Sequence, residues 1–457
     1  MKKFFTIIFL FFALNAFTQI TFEKTFGGAN NDVGYSVQQT SDNGYIISGW
    51  TESFGAGNYD AYLIKTNATG DTLWTKFFGG LGWDDFYSAQ ETNDSGFIMV
   101  GGSESFSNGG YDVYLIKTDA DGDTLWTKII GGLDVDRGYS IQQTSDNGYI
   151  ITGTTWSYGA GTYDVYLIKT NSDGDISWTK TFGGANGDYG NSVKQTNDGG
   201  YIITGMTENF GAGLEDVYLI KTDAIGDTLW TKTFGGIAND EGNSVQQTSD
   251  NGYIITGISY SFGTGYPNCY LIKTNAVGDT LWTRIFGGYG KSVQQTTDGG
   301  YIITGQINGD VYLIKTNAAG DSLWTKTFGG AGIDIGNSVQ QTSDGGYIIA
   351  GQTESFGAGF YDVYLIKTND NGTVTVNEKT IKQNNIEIFP NPTNDNIEIK
   401  GLNNGIIEII NLQGQIVKNM NISNTSTAMD ISKLASGVYL IKIQYNNGVF
   451  VKKMIKE

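Results

Sequence analysis

Short segments in which apolar and polar side chains alternate run along most of this chain, separated by turns rich in glycine, aspartate and asparagine. In the third copy of a recurring unit, four such segments follow one another, at 140–144, 149–153, 164–170 and 175–180. Their content of Tyr, Ile, Val, Thr and Trp predicts β-strands. The Asp-Asn-Gly and Asp-Gly-Asp turns between them predict hairpins, because Asn and Gly tolerate positive φ.

This four-strand unit occurs seven times, and each copy opens with a pair of glycines. The first glycine of each pair falls at Gly27, Gly79, Gly131, Gly183, Gly235, Gly287 and Gly329. The spacing is 52 residues five times and 42 residues once. Four antiparallel strands in a unit of ~40–50 residues are typical of a propeller blade. We therefore predict an all-β protein with a seven-bladed β-propeller at 20–370. An open β-solenoid is the alternative, although solenoids usually need polar end caps.

The first strand of the chain predicts how the ring closes. Six tryptophans stand five residues before the next glycine pair, at Trp74, Trp126, Trp178, Trp230, Trp282 and Trp324. Phe22 stands in the same register before Gly27, so residues 20–26 have the pattern of a fourth strand without its own blade. We predict that this strand completes the last blade and removes a free sheet edge. Segment 373–376 competes for the same position.

Loop sequences divide the predicted ring into two faces. The first-to-second and third-to-fourth hairpins of each blade form the hairpin face, which repeats almost unchanged. The second-to-third loops and the links between blades form the variable face, where we expect a ligand because binding usually resides in variable loops on a rigid scaffold. The candidate ligand-binding residues are Trp50, Trp83, Trp156 and Tyr189. The short sixth repeat loses residues only from this face, which predicts a notch at blade six.

Composition limits the chemistry of the chain. It has no histidine and one cysteine, Cys269, which excludes a histidine general base, a histidine-ligated metal and an internal disulfide. No pair of carboxylates stands out, so we predict no catalytic residue, no metal site and no cofactor. Asp119, Asp121 and Asp123 have a spacing that suits calcium, but other repeats keep the turn without the middle acid. The net charge of −19 argues against nucleic acid as a partner.

The start of the chain predicts export. Residues 1–19 combine Lys2 and Lys3 with an apolar run at 4–17 that is too short for a membrane span, as in a secretory signal peptide. No later segment is apolar enough for a transmembrane segment.

One repeat motif resembles a known propeller family. The stretch from Thr222 to Trp230, Thr-Asp-Ala-Ile-Gly-Asp-Thr-Leu-Trp, is similar to the tryptophan-docking repeat of propellers of the pyrroloquinoline-quinone type. The resemblance supports the fold alone. Quinoprotein dehydrogenases of that family use an adjacent-cysteine disulfide, which a chain with one cysteine cannot form.

The end of the chain carries a more specific resemblance. After a polar linker at 371–385, residues 386–457 resemble the type A C-terminal sorting domain of the type IX secretion system of Bacteroidota. The resemblance rests on the motifs at 388–393, 406–417 and 429–442 and on the closing 451–457. The motif residues are Pro390, Asn391, Pro392, Gly414, Gly437, Tyr439, Lys452 and Lys453.

This resemblance implies an address and partners. The partners are the type IX translocon and a sortase, and the destination is the outer cell surface or the medium, reached through the periplasm. Alternating apolar residues independently predict a small C-terminal β-sandwich.

Two functions remain open at the level of the sequence. The first is a secreted or surface-attached, non-catalytic binding or adhesion propeller that takes a glycan or protein ligand on its variable face. The alternative is a glycan-active hydrolase, similar to an endoglucanase, that uses a carboxylate pair on the same face. The absence of a privileged acid pair favours binding over catalysis.

Overall fold

The computed structural model describes residues 19–265, 267–374, 387–400, 405–411, 415–422, 426–445 and 448–457. The chain divides into two compact units, Met1–Thr375 and Val376–Glu457. The first unit therefore runs a few residues past the end expected for the propeller. Residues 1–18 of the predicted signal segment and 375–385 of the predicted linker lie outside the described residues.

The first unit consists of seven four-stranded antiparallel sheets, and β1 (Phe22–Phe26) precedes the first complete one. Blade 1 contains β2 (Asp32–Gln39), β3 (Tyr45–Thr51), β4 (Asp60–Thr66) and β5 (Thr72–Phe78). Blade 2 contains β6 (Asp84–Glu91), β7 (Phe97–Ser103), β8 (Asp112–Thr118) and β9 (Thr124–Ile130). Blade 3 contains β10 (Asp136–Gln143), β11 (Tyr149–Thr155), β12 (Asp164–Thr170) and β13 (Ile176–Phe182).

The remaining blades repeat this order. Blade 4 contains β14 (Asp188–Gln195), β15 (Tyr201–Thr207), β16 (Asp216–Thr222) and β17 (Thr228–Phe234). Blade 5 contains β18 (Asp240–Gln247), β19 (Tyr253–Ser259), β20 (Asn268–Thr274) and β21 (Thr280–Gly287). Blade 6 contains β22 (Tyr289–Gln295), β23 (Tyr301–Ile307), β24 (Asp310–Thr316) and β25 (Ser322–Phe328). Blade 7 contains β26 (Asp334–Gln341), β27 (Tyr347–Thr353) and β28 (Asp362–Thr368), to which β1 is added.

The apolar core lies between neighbouring blades, because the second and third strands present apolar side chains to both sides. In β12 of blade 3, Val165 and Leu167 pack with residues of blade 4. The intervening Tyr166 and Ile168 pack with residues of blade 2. All seven residues of β12 are buried, whereas the outer strand β13 alternates exposed and half-buried positions. Each sheet therefore buries both faces.

Outer-strand tryptophans dock onto glycines of the next blade. Trp178 of blade 3 lies against Gly226, whose φ is 81°. A Cβ at Gly226 would come within 2.6 Å of the Trp178 ring, so a side chain cannot replace the hydrogen there. This contact explains why the third-to-fourth hairpin repeats glycine at this position.

The ring closes through β1. It pairs antiparallel with β28 and places Phe22 opposite Lys367, the position that Trp74 takes opposite Lys65 in blade 1. The inner strands of blades 7 and 1 also join, because the Asn337 side chain donates a hydrogen bond to Gly34 O at 2.9 Å. The fold is a closed seven-bladed β-propeller, and the alternative of an open solenoid is wrong.

Blade 6 has short connections on the variable face. Gly288 alone separates β21 from β22, and the two-residue turn Asn308–Gly309 joins β23 to β24. Both turn residues have positive φ, 52° and 97°, as a tight hairpin of type I′ requires. In blade 1, by comparison, residues 52–59 connect the second strand to the third. The shortened loops lie where the sequence predicts the notch.

The second unit is a two-sheet β-structure. Its strands are β29 (Glu387–Phe389), β30 (Asn396–Lys400), β31 (Gly405–Ile410), β32 (Ile416–Ile422), β33 (Ser426–Asp430), β34 (Gly437–Tyr445) and β35 (Gly448–Lys456). One sheet has the order β29-β30-β33, and the other has the order β32-β31-β34-β35. Ile397 and Ile399 of the first sheet share a buried cluster with Ile407, Ile409 and Ile441 of the second. The two sheets therefore pack face to face as a sandwich.

Neither unit contains a helix within the described residues. A helix able to span a membrane is accordingly not found in this part of the chain.

Candidate functional site

The variable face of blades 1 and 2 carries a group of stacked aromatic rings. Trp50 lies near the end of β3, Tyr59 precedes β4 and Trp83 precedes β6. The ring centroids of Trp50 and Tyr59 are 4.7 Å apart, and those of Tyr59 and Trp83 are 5.6 Å apart with an interplanar angle of only 4°. Tyr59 and Trp83 are also joined by a parallel β-bridge. We call Trp50, Tyr59 and Trp83 the first aromatic group.

Charged residues continue this group into blade 3. Tyr111 lies next to Trp83, with centroids 6.5 Å apart, and the Arg137 guanidinium sits 4.2 Å above the centre of the Tyr111 ring. Asp85 is buried beside them and accepts hydrogen bonds from Gly102 N at 2.8 Å and from Tyr87 Oη at 3.2 Å. Burial raises the pKa of the Asp85 carboxyl to about 6, although the charge of Arg137 and these hydrogen bonds oppose the shift.

A second aromatic group joins blades 3 and 4. Trp156 lies 5.1 Å from Tyr163, and Tyr163 lies 5.3 Å from Tyr189, measured between ring centroids. Trp156 follows β11, Tyr163 precedes β12 and Tyr189 is the second residue of β14. The arrangement repeats that of the first aromatic group: the tyrosine before a third strand bridges two blades.

Three tyrosines carry the aromatic surface into the central channel. Tyr35 and Tyr87 have centroids 4.9 Å apart, and Tyr87 and Tyr139 meet edge to face at 5.0 Å. The indole nitrogen of Trp50 donates to Tyr35 Oη at 3.3 Å, which connects the channel to the first aromatic group. Burial raises the pKa of Tyr35 and Tyr87, and raises that of Tyr139 to about 12. All three are therefore neutral hydrogen-bonding groups near pH 7.

The four residues predicted from the sequence differ in accessibility. Trp83 and Trp156 are 43% and 47% exposed. Trp50 and Tyr189 are half-buried. The structure brings Trp50 and Trp83 together in one group and Trp156 and Tyr189 together in the other. The two exposed tryptophans are the ones available to a ligand, and the other two support them.

Sequence reasoning missed the bridging tyrosines and Arg137. Aligning the repeats gives a signal, because the residue before each third strand is Tyr59, Tyr111, Tyr163 and Tyr361 in blades 1, 2, 3 and 7 but Glu215 in blade 4. The second residue of each inner strand also varies and includes Asp85, Arg137 and Tyr189. These two columns converge at the channel mouth only once the blades are assembled.

The acids that recur in most repeats hold loops. Asp60 accepts hydrogen bonds from Ala56 N at 2.9 Å and Gly57 N at 3.1 Å. Asp32 accepts from Gly28 N at 2.8 Å and Ser53 Oγ at 2.7 Å. Carboxylates bonded in this way are committed to loop structure, which favours a structural role over a catalytic one.

Two acids of the variable face are less committed. Burial raises the pKa of Glu241 in blade 5, partly offset by Lys291. Burial also raises the pKa of Glu215, and the charges of Glu241 and Glu208 add to that effect. Glu215 and Glu241 thus lie on adjacent blades, and the charge of Glu241 contributes to the raised pKa of Glu215.

The candidate calcium turn is held by its own backbone. Asp119 accepts hydrogen bonds from Asp121 N at 3.0 Å and Asp123 N at 2.9 Å, and Asp123 pairs with Lys76 at 2.7 Å. Asn171 forms the equivalent turn in blade 3, where its side chain accepts from Asp175 N at 2.9 Å. Within the described residues, no group of three or more acidic or cysteine side chains is arranged to hold a metal ion.

The predicted sorting residues lie around the last strand of the second unit. Asn391, between Pro390 and Pro392, donates to Lys453 O at 2.7 Å and accepts from Ile455 N at 2.9 Å. Tyr439 Oη donates to Ala435 O at 2.9 Å. Gly437 begins β34, and Lys452 and Lys453 are exposed on β35, whereas Gly414 lies outside the described residues. The Asn391 contacts tie the opening motif to the closing strand.

Comparison with known families identifies the second unit. Residues 387–457 match the family model described as the secretion system C-terminal sorting domain. The protein is thus exported through the periplasm to the cell surface or the extracellular space. A comparison of the sequence with curated proteins finds no match.

Solved structures similar to the chain share little sequence with it. A polysaccharide lyase, Uly1, has a TM-score of 0.48 at 13% identity, covering 76% of this chain and 91% of that one. Sqt1 from Chaetomium thermophilum has a TM-score of 0.44 at 11% identity, covering 72% and 82%. A protein of unknown function from Bacteroides caccae has a TM-score of 0.38 at 11% identity, covering 60% and 92%.

Proposed function

We propose that this protein is a binding or adhesion propeller that works outside the cell and takes a glycan on its variable face. The observation that carries the proposal is the pair of exposed tryptophans, Trp83 and Trp156, each backed by a tyrosine that bridges two blades. Flat aromatic surfaces held rigidly in this way suit stacking on a sugar ring, and aromatic residues often dominate the affinity of a binding surface.

The neighbourhood of the tryptophans supplies polar partners as well. Arg137 and the buried Asp85 lie close to the first aromatic group, and the hydroxyl groups of the channel tyrosines point to the same region of the ring. Few polar groups placed among aromatic rings are typical of small-molecule and sugar sites.

Export supports a role in contact with the surroundings. The sorting domain takes the propeller out of the cell, which implies interaction with the type IX secretion machinery. We also propose that a sortase removes the second unit during release or attachment, as the resemblance implies. Mass spectrometry of the extracellular protein checks this step: a shortened chain is expected, and an intact C-terminus contradicts it.

A hydrolase remains the second candidate because of one specific observation. Glu215 and Glu241 lie on adjacent blades of the variable face and both have raised pKa values. A glycosidase needs one protonated and one ionised carboxyl group flanking the scissile bond. An endoglucanase-like activity would therefore depend on these two residues.

A glycan array of the purified protein, with a parallel assay for reducing-end release, separates the two candidates. The proposal expects saturable binding without release of reducing ends, lost in a Trp83→Ala/Trp156→Ala double variant. Release of reducing ends that disappears in Glu241→Gln would establish the hydrolase instead. No binding to any glycan on the array, with the wild-type protein folded, would contradict the proposal.

A further inference from the structure

The inner strands of the seven blades surround a central channel with a cavity of about 280 Å³. One water molecule takes about 30 Å³, so the cavity has room for a small ion with several waters. Among the described residues, the charged side chains lining it are Lys194 and Lys291, and no carboxylate lines it. The whole chain, by contrast, has 47 acidic and 28 basic residues. The channel is thus a positive site inside a strongly negative protein.

A ring of serines lines the channel at one level. Its members are Ser36, Ser88, Ser140, Ser192, Ser244, Ser292 and Ser338. Each hydroxyl oxygen accepts a hydrogen bond from a backbone N–H of the next blade, for example Ser140 from Val193 N at 3.2 Å and Ser192 from Val245 N at 3.3 Å. A hydroxyl has one proton to donate besides its lone pairs. The serine ring therefore presents seven hydroxyl protons for a further acceptor in the channel.

A ring of glutamines forms the next level towards the hairpin face. Six blades have glutamine there, at Gln38, Gln90, Gln142, Gln246, Gln294 and Gln340. The Oε1 atom of each accepts a backbone N–H of the following blade at 2.5–2.8 Å. These six bonds join the blades around the channel.

Blade 4 breaks this ring with Lys194. In blade 4 the backbone N–H of Gln247 corresponds to the N–H groups that bond glutamine in the other blades. An ammonium group has only donors, so Lys194 cannot accept a hydrogen bond from it. The substitution costs an inter-blade hydrogen bond and places a positive charge in the channel. Burial lowers the pKa of Lys194, and no acid acts against that shift. Lys291 lies in blade 6, three residues before Gln294, which is the residue that corresponds to Lys194. Burial also lowers the pKa of Lys291, and the charge of Glu241 partly offsets that shift.

We propose that the hairpin-face end of the central channel binds a small oxyanion through the Lys194 ammonium, the hydroxyl groups of the serine ring and the Gln247 N–H. An anionic oxygen accepts from all three kinds of donor, and bonds between ionised groups are about twice as strong as neutral ones. Lys291 adds to the positive potential of the same cavity. Neither Trp83 nor Trp156 lines this cavity, and the proposal does not depend on the proposed glycan binding.

Calorimetric titration with sodium sulfate tests this site, with sodium phosphate and sodium acetate as parallel arms. Ionic strength is held constant with sodium chloride, so that screening stays the same throughout. We expect saturable one-to-one binding of at least one of the three anions to the purified protein. Binding of sulfate or phosphate defines a tetrahedral ligand, and binding of acetate alone defines a carboxylate.

Lys194→Gln is the sharpest variant, because it restores the residue of the six other blades and is expected to fold. It should bind the anion at least about tenfold more weakly, since a charge-assisted hydrogen bond is lost. Its thermal unfolding midpoint in chloride alone should rise, because Gln247 N regains an acceptor. Lys194→Met, which removes the charge without supplying an acceptor, should lose the anion without that rise.

Lys232→Gln provides the matched control. Lys232 pairs with Asp279 at 3.0 Å on the outer edge of the ring, away from the channel. The Lys232→Gln variant has the same change of charge as Lys194→Gln and should bind the anion as the wild type does. Equal binding by Lys194→Gln and the wild type would overturn the proposal, as would the absence of saturable binding of all three anions.

Discussion

At the scale of single residues, the buried carboxyl of Asp85 makes the stability of the protein depend on pH. Asp85 is 3% exposed, and burial raises the pKa of its carboxyl to about 6 against the opposing charge of Arg137. An acid whose pKa is higher in the folded state than in the unfolded state binds more protons when folded. The free energy of unfolding contributed by Asp85 is therefore greatest below pH 4 and falls as the pH rises to about 6.

Asp85→Asn should remove this pH dependence. An amide can still accept from Gly102 N and donate to Tyr87, so the local contacts survive the change. Between pH 4 and pH 8, we expect the free energy of unfolding of the wild type to fall by about 2 kcal/mol relative to that of Asp85→Asn. Urea unfolding of both proteins across that range measures the difference. A difference that stays constant with pH would mean that Asp85 ionises as an ordinary surface carboxyl.

The buried lysines of the third strands are paired with acids, and these pairs follow from the repeat. Lys65 is buried in β4 and bonds Asp42 of the neighbouring hairpin at 2.7 Å, and the other blades repeat this pair. Burial raises the pKa of Asp42, but the bonds from Lys65, Thr40 and Gly44 outweigh it and lower the pKa to about 2. The Lys65–Asp42 pair is therefore part of the repeat. Lys194 differs, because it replaces the glutamine that the other blades have at its position.

At the scale of elements, strand β1 carries the closure of the ring. Besides its pairing with β28, its Glu23 accepts a hydrogen bond from Tyr364 at 2.5 Å. Lys24 reaches Asp71 of blade 1 at 2.9 Å, as Lys76 of blade 1 reaches Asp123 of blade 2. Strand β1 therefore occupies the place of an outer strand in every respect and joins the last blade to the first.

Removing residues 19–26 should open the ring. The loss leaves β28 with an unpaired edge, which can pair with another chain. We expect a lower thermal unfolding midpoint and concentration-dependent association in light scattering.

Phe22→Ala is a milder change, at a ring that is 9% exposed, and should lower the free energy of unfolding measured in urea by about 3 kcal/mol.

Phe22→Trp is the control, because all six other blades have tryptophan at this position. It should stay monomeric with little change in stability. A truncated protein that remains monomeric with an unchanged midpoint would show that β1 does not hold the ring closed.

The sequence predicts these elements well because each depends on local pattern. Strand and turn residues repeat with a fixed period, and the register of Phe22 with Trp74 already indicates where β1 belongs. The candidate site is predicted less completely. Trp83 and Trp156 stand out as exceptions among loops, but their stacking on Tyr59 and Tyr163 depends on the distance between blades, which no single repeat encodes.

At the scale of the whole molecule, export and the proposed binding belong to separate units. The C-terminal unit supplies the address, and the propeller supplies two faces of different character. The hairpins of the hairpin face are nearly identical from blade to blade. The clearest departure from the repeat near this face is Lys194 in the channel. The variable face has its stacked aromatic groups in blades 1–4.

The most direct test of a glycan-binding variable face is calorimetric titration with the glycan that the array selects. Trp83→Ala and Trp156→Ala should each weaken binding about tenfold or more, because exposed aromatic anchors commonly contribute that much. Ile225→Ala and Val277→Ala remove apolar side chains that are 60% and 56% exposed in hairpin-face turns, and should bind as the wild type does. Loss of affinity in the hairpin-face variants, with the tryptophan variants unchanged, would contradict the account.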